Sequence, residues 1–137
     1  MKSIEIGRKQ DSYKFQSDFA TIFIDDLIRV CGTKDPSLLS AFIHQLICSL
    51  IDAMTIANFR LSQKRIDAPI MRIELFDLPS GGLKFQIVPL DADKNPIKTD
   101  QEMPALVLGA SPDEAKEFMK KPGSVSLFLL DKLPKEN

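Results

Sequence analysis

The fold of this chain is decided by one stretch, residues 36–64, which reads PSLLSAFIHQLICSLIDAMTIANFRLSQK. Asp35 precedes the stretch as an N-cap candidate, and Pro36 suits the first position of a helix. No further Pro or Gly follows before Pro69, and apolar residues recur at helical spacing throughout. The stretch therefore predicts a single helix over 36–64, about 43 Å long at about 1.5 Å per residue.

This predicted helix is longer and more apolar than one small sheet needs. A spherical globule of this size is only about 37 Å across, so the helix breaks, projects, or has its end covered by a second chain. Asp52 is the only charged side chain between Ser37 and Phe59, and a helix so apolar all round is normally buried. We therefore predict a protein interface on this helix, formed by Leu38, Phe42, Ile51, Ile56 and Phe59.

Upstream, residues 17–31 predict a first helix, with Ser17 as N-cap and Gly32 as the C-terminal cap. Asp26 falls within the apolar arc of this helix, so it is either a buried carboxylate with a partner or a residue at the border of the arc. Asp25 and Arg29 are spaced for an ion pair. Residues 1–14 predict a short strand at 3–6 within a mobile or loosely docked arm.

Downstream, the pattern changes to a period of two and predicts strands. Residues 71–76 and 83–87 form a predicted hairpin around the turn 78–82, and residues 105–108 form a further strand. Ser111 and Glu114 give the capping box of a short helix ending near residue 121. A last strand at 124–130 precedes a frayed tail at 132–137. The last strand is either antiparallel or parallel to its predecessor.

This order of elements predicts one α+β domain over residues 1–137. Two N-terminal helices, the second long and very apolar, pack on a mainly antiparallel sheet of about four strands, and a short helix precedes the last strand. The Ser80-Gly81-Gly82 segment is a hairpin turn in this scheme rather than a phosphate-binding loop, because a strand follows it.

Charge and cysteine content limit the expected partners and compartment. The 18 basic and 19 acidic residues nearly cancel, so the chain has no global attraction for nucleic acid or anionic membranes. Residues 1–10 lack the apolar core of a secretory signal, and no uninterrupted apolar run approaches the roughly 18 residues of a membrane span. Cys31 and Cys48 make no disulfide framework and are expected to be small buried apolar side chains. We expect a cytoplasmic protein with no nucleic-acid or membrane partner.

His44, Cys48 and Asp52 are the residues nearest to a reactive constellation, because they recur every four positions on one helix. A nucleophilic thiolate needs an adjacent base and an orienting group beyond it. Here the thiol is in the middle of the three and in the middle of the helix, and the same set is incomplete for zinc. We expect an ordinary helix face, and we predict no catalytic residue, metal or cofactor.

Residues 91–102 place Asp91, Asp93, Asn95 and Glu102 at positions of a calcium-binding loop, but Pro96 occupies the position that requires glycine. A solvated turn is the ordinary alternative for such residues. The sequence leaves both interpretations open.

The favoured function is therefore a non-enzymatic protein-interaction module, an adaptor or chaperone-like subunit that acts as a homodimer or within a complex. The alternative is a small ligand-binding domain or a cysteine-dependent enzyme, with a pocket between the long helix and the sheet. For that alternative the first polar groups to test are His44, Cys48, Asp52 and Asp26.

Overall fold

The computed structural model describes residues 2–9, 12–13, 19–32, 34–100, 102–120 and 125–127. Along the chain the elements are β1 (Lys2–Lys9), β2 (Ser12–Tyr13), α1 (Phe19–Cys31), α2 (Pro36–Gln63), β3 (Ile70–Asp77), β4 (Leu83–Leu90), β5 (Ala105–Leu108), α3 (Pro112–Phe118) and β6 (Val125–Leu127). The predicted α+β fold is confirmed, with a short helix before the last strand.

Helix α2 forms where its local signals place it. The Asp35 carboxylate accepts a hydrogen bond of 2.9 Å from the backbone N–H of Ser37, and Pro36 occupies the first turn. At the end of α1, Gly32 has a φ of +70° and donates its N–H to the carbonyl of Ile28, as predicted for a glycine cap. The predicted cap Ser17 lies outside the described residues.

The strands form one six-stranded sheet in the order β2-β1-β3-β4-β5-β6. All neighbours pair antiparallel except β5 and β6, which pair parallel because the connection through α3 crosses over. Eight residue pairs join β3 to β4, from Ile70 opposite Leu90 to Asp77 opposite Leu83. This long hairpin is the centre of the sheet.

The N-terminal strand differs from the expectation of a short strand in a loose arm. Strand β1 has eight residues and lies between β2 and β3, with Ile4 opposite Ile73 and Ile6 opposite Met71. Ile4 and Ile6 are buried in the core, which explains why this segment is docked. The remaining arm residues 1, 10–11 and 14, and the predicted tail 132–137, lie outside the described residues.

The core lies between one face of the sheet and the helices α1 and α2. Alternate residues of β3 and β4 are buried on this face, and they form one cluster with buried residues of both helices. Phe23 of α1 meets Phe85 of β4 edge to face, with ring centroids 5.7 Å apart.

Helix α3 covers part of the opposite face of the sheet. Lys84 alternates with the core-facing residues of β4 and places its ammonium over the rings of Phe76 and Phe118, 4.7 and 5.4 Å from their centroids. The Ser80 hydroxyl donates a hydrogen bond to Glu114, whose capping box with Ser111 is confirmed. The β3–β4 turn and the N-terminus of α3 are thereby joined.

Candidate protein-binding surface

Helix α2 presents two faces of different character. The buried face packs into the core through Leu39, Leu46, Leu50, Ala53, Met54, Ala57 and Leu61. Opposite it runs a line of exposed residues spaced three or four apart, which we call the outer stripe: Leu38, Ala41, Gln45, Cys48, Asp52, Ile56 and Phe59. Asp52 carries the only charge on this stripe.

Three of the five predicted interface residues lie on the outer stripe. Leu38 is 41% exposed, Ile56 36% and Phe59 61%. Phe42 and Ile51 are instead half-buried and pack against the core. Contiguous exposed apolar side chains mark partner-binding surfaces more than single ones do. Ile56 and Phe59 are neighbours on this face, whereas Leu38 lies about 27 Å away along the helix.

By length and composition, α2 is also long and apolar enough to cross a membrane. Its most apolar window of 18 residues has a mean hydropathy of 1.5, and 28% of that window is buried. Uncharged polar residues interrupt the apolar run of α2 without adding charge. The sequence therefore lacks an uninterrupted apolar run of membrane-spanning length although the helix as a whole is apolar. Core helices of soluble proteins pass the same test when they are mostly buried. In α2, Leu50, Met54 and Leu61 are completely buried against the rest of the chain, but most of the apolar window is not buried.

Cys48 and His44 are in contact on the exposed side of α2. The Cys48 Sγ lies 3.7 Å from the His44 Nε2, and both side chains are exposed, as is Asp52. The prediction that Cys48 is a buried small side chain is wrong, whereas Cys31 is buried as expected. Cys48 faces water because it lies opposite the buried face of α2.

The chemistry open to this contact is limited by its surroundings. The thiol and the imidazole lie on a convex helix surface, whereas sites that hold small molecules are concave. Within the described residues, no three His, Cys, Asp or Glu side chains are grouped closely enough to hold a metal ion. The contact is therefore better explained as a surface thiol beside an imidazole than as a catalytic pair or a metal site.

Asp26 lies at the border of the α1 arc and has a partner. Its side chain is 20% exposed and accepts a hydrogen bond of 2.7 Å from the Lys2 ammonium, which raises the pKa of Lys2. Arg29 lies 3.7 Å from Asp26 and 2.9 Å from Asp77. The predicted Asp25–Arg29 ion pair is wrong, because Arg29 turns toward the end of β3 instead.

These residues border a small open groove between α1 and the sheet. Lys2, Asp26, Leu75 and Asp77 line a volume of about 180 Å³, which is below the roughly 300 Å³ of ordinary ligand pockets. Sequence reasoning singled out Asp26 but missed Lys2 and Asp77. Lys2 and Asp77 come close to Asp26 and Arg29 only because β1 and β3 pair in the sheet. No local signal in the sequence could therefore have identified Lys2 and Asp77.

The segment after β4 forms a turn. The Oδ1 atom of Asp91 accepts backbone N–H bonds from Asp93 and Asn95, both at 2.9 Å, and Lys94 has a φ of +65°. The Asp91 carboxylate thus holds the turn together, and Asp91, Asp93 and Glu102 form no group that could hold a metal ion. The turn is the interpretation that the structure supports.

Together, the fold and this surface define an α+β protein with a long helix that is buried on one side and exposes a weakly charged stripe on the other. Comparisons with protein-family models, curated proteins and solved structures found no match to this chain.

Proposed function

We propose that this chain is a non-enzymatic protein-interaction module, an adaptor or chaperone-like subunit that binds a protein partner through the outer stripe of α2. One observation carries the proposal: Leu38, Ile56 and Phe59 are exposed along a helix face whose stripe has a single charge. Interface centres are depleted of charged residues and rich in large apolar ones. The partner is another protein or a second copy of this chain.

The cysteines favour a reducing compartment for this interaction. Cys48 is an exposed thiol and Cys31 is a buried one. Exposed thiols persist in the cytoplasm, where cellular reductants keep them reduced. With the near-neutral charge of the chain, this supports a cytoplasmic protein that binds neither nucleic acid nor membrane.

The decisive experiment is affinity capture of the tagged full chain from lysate of its native cell, followed by native mass spectrometry of what elutes. We expect a stoichiometric companion, either a second protein or an untagged copy of this chain. Phe59→Ser should abolish its retention. The matched control is Met119→Ser, because Met119 is also a large exposed apolar side chain, 51% exposed, but lies beyond α3 and away from the outer stripe.

Both substitutions change exposed side chains, so both variants should fold. A surface substitution typically changes the free energy of unfolding by about 0.5 kcal/mol or less, and thermal melting of each variant checks this. Equal retention of the companion by the wild type and Phe59→Ser would contradict the proposal, as would elution of a lone 15.3 kDa chain that also stays a monomer at high concentration. A lone chain whose melting temperature rises with a metabolite would favour the ligand-binding alternative.

A further inference from the structure

The outer stripe is self-complementary when α2 is read in the reverse direction. Six of its seven residues lie at equal distances on either side of the peptide bond between Cys48 and Ser49, and the seventh, Cys48, is next to this point. Turning one helix around this point brings three pairs face to face: Leu38 with Phe59, Ala41 with Ile56, and Gln45 with Asp52. A two-fold interface has this property, because each residue and its counterpart meet twice.

The chemistry of the three pairs matches. Leu38 and Phe59 are both large, apolar and exposed, and the small side chain of Ala41 leaves room for Ile56. Gln45 carries amide N–H donors that suit the Asp52 carboxylate, so the single charge of the stripe gains a hydrogen-bond partner.

A neighbouring register matches less well. If Phe59 were placed opposite Ala41, Leu38 would meet the hydroxyl of Ser62, and Asp52 would meet Cys48. The carboxylate would then lose the amide donor and enter the interface without a strong partner, which is costly. Of these two registers, self-complementarity favours the first.

We infer that two copies of this chain associate through their outer stripes, with α2 packed antiparallel on α2 and the two-fold axis between Cys48 and Ser49. This inference rests on the proposed function and names the partner of the same surface. In this arrangement the two Asp52 side chains lie about 10 Å apart along the helices at about 1.5 Å per residue, so their repulsion is weak at physiological salt.

The size of the contact sets its expected strength. From Leu38 to Phe59 the stripe is about 32 Å long, and a helix is about 10 Å wide. The two copies together would cover about 600 Å², below the roughly 1,200 Å² of standard stable interfaces. We expect a weak, reversible dimer that forms at about 100 µM chain and dissociates to a monomer at nanomolar concentration.

Cys48 provides a native reporter of this arrangement. Because Cys48 is next to the proposed two-fold axis, the two Cys48 side chains would lie side by side in the dimer. Diamide oxidises two thiols to a disulfide and takes up their two electrons and two protons. We expect rapid formation of a Cys48-linked dimer from the full chain at about 100 µM, and a dimer in sedimentation equilibrium at that concentration without oxidant.

Four variants separate this dimer from random collision of exposed thiols. Cys48→Ser should abolish the crosslink, whereas Cys31→Ser should not, because Cys31 is buried. Phe59→Ser should slow crosslinking at least tenfold and shift sedimentation to the monomer. Met119→Ser should do neither, since Met119 is away from the stripe.

Two results would overturn the inference. One is a chain that sediments as a monomer at about 200 µM, twice the concentration at which we expect the dimer. The other is equal crosslinking of the Phe59→Ser variant and the wild type. The capture experiment then separates the two proposals. A different protein that is retained by the wild type and lost with Phe59→Ser, from a chain that sediments as a monomer, leaves the proposed function standing without the homodimer. Retention of no protein by a chain that also sediments as a monomer removes both.

Discussion

Replacement of Gly82 by Ala tests the close approach between the β3–β4 turn and the end of β5. A Cβ atom at Gly82 would lie 2.6 Å from the carbonyl oxygen of Gly109 and 2.8 Å from that of Leu108. Both are backbone atoms, so neither can rotate away as the end of a side chain would. Insertion of one methyl group into a tight site typically costs about 1–3 kcal/mol. Because β5 itself must shift here, we expect a loss of about 3 kcal/mol in the free energy of unfolding.

Urea denaturation followed by circular dichroism measures this loss. With a slope of about 2 kcal/mol per molar urea, the midpoint should fall by about 1.5 M. Gly7→Ala is the matched control, because a Cβ there has no atom within 4 Å among its neighbours, and its midpoint should stay close to that of the wild type. Gly81→Ala also meets no atom, but its φ of +98° makes any side chain there strained, so it should cost about 1–2 kcal/mol. A Gly82→Ala midpoint equal to that of Gly7→Ala would refute the reasoning.

Three further predictions concern the helices. Leu50→Ala removes a fully buried side chain of α2 and should lower the free energy of unfolding by about 3–5 kcal/mol in the same urea assay, with Leu50→Met losing much less. Asp35→Ala removes the carboxylate that caps α2 and should cost about 1 kcal/mol, whereas Asp35→Asn should cost little; equal losses would argue against capping. Hydrogen bonds from Ser80 and Ser111 lower the pKa of Glu114 below 4.5, so its contribution is present above pH 4.5 and disappears as the pH falls through the lowered pKa. Glu114→Gln should therefore lose less stability than the wild type between pH 6 and pH 3, and an unchanged acid dependence would contradict this assignment.

The parts of the fold that local signals determine were predictable from the sequence. Asp35 and Pro36 fix the start of α2, and the predicted end at residue 64 differs from the observed end by one residue. The β3–β4 hairpin follows from the alternation of apolar and polar residues on both sides of a glycine turn. In these segments propensity, periodicity and capping all agree.

The length of β1 was not predictable because its support comes from far along the chain. Only Ile4 and Ile6 alternate as core residues, and charged residues surround them. The strand is held by pairing with β3, which lies more than 60 residues downstream. A short alternating segment cannot reveal such a partner, so the sequence predicted a loose arm.

The candidate surface was predictable in outline and not in detail. The scarcity of charge on this helix predicted Leu38, Ile56 and Phe59 as interface residues, and all three are exposed. The sequence could not show that Ile51 packs against the core, because its burial depends on what lies beside α2. The orientation of Arg29 toward Asp77 was likewise hidden, since β3 supplies the carboxylate.

The strongest reason to regard the outer stripe as an interface is a contrast within this chain. Helix α3 exposes Asp113, Lys116 and Glu117 to water, and α1 exposes Asp25 and Arg29. These helices follow the ordinary pattern, in which charged side chains cover the solvent face.

On α2, the longest helix in the described part of the chain, charged side chains do not cover the solvent face. Asp52 is the only charge on the stripe. The fold does not need an uncharged outer stripe, because the buried face alone anchors α2 in the core. Charged residues along the stripe would therefore leave packing unchanged and would favour solubility. Their scarcity is explained if water leaves this surface in the assembled state, because a charge there would lose its hydration without a partner. Asp52 fits the same account only if its carboxylate meets a donor across the interface, and Gln45 of a second copy is such a donor.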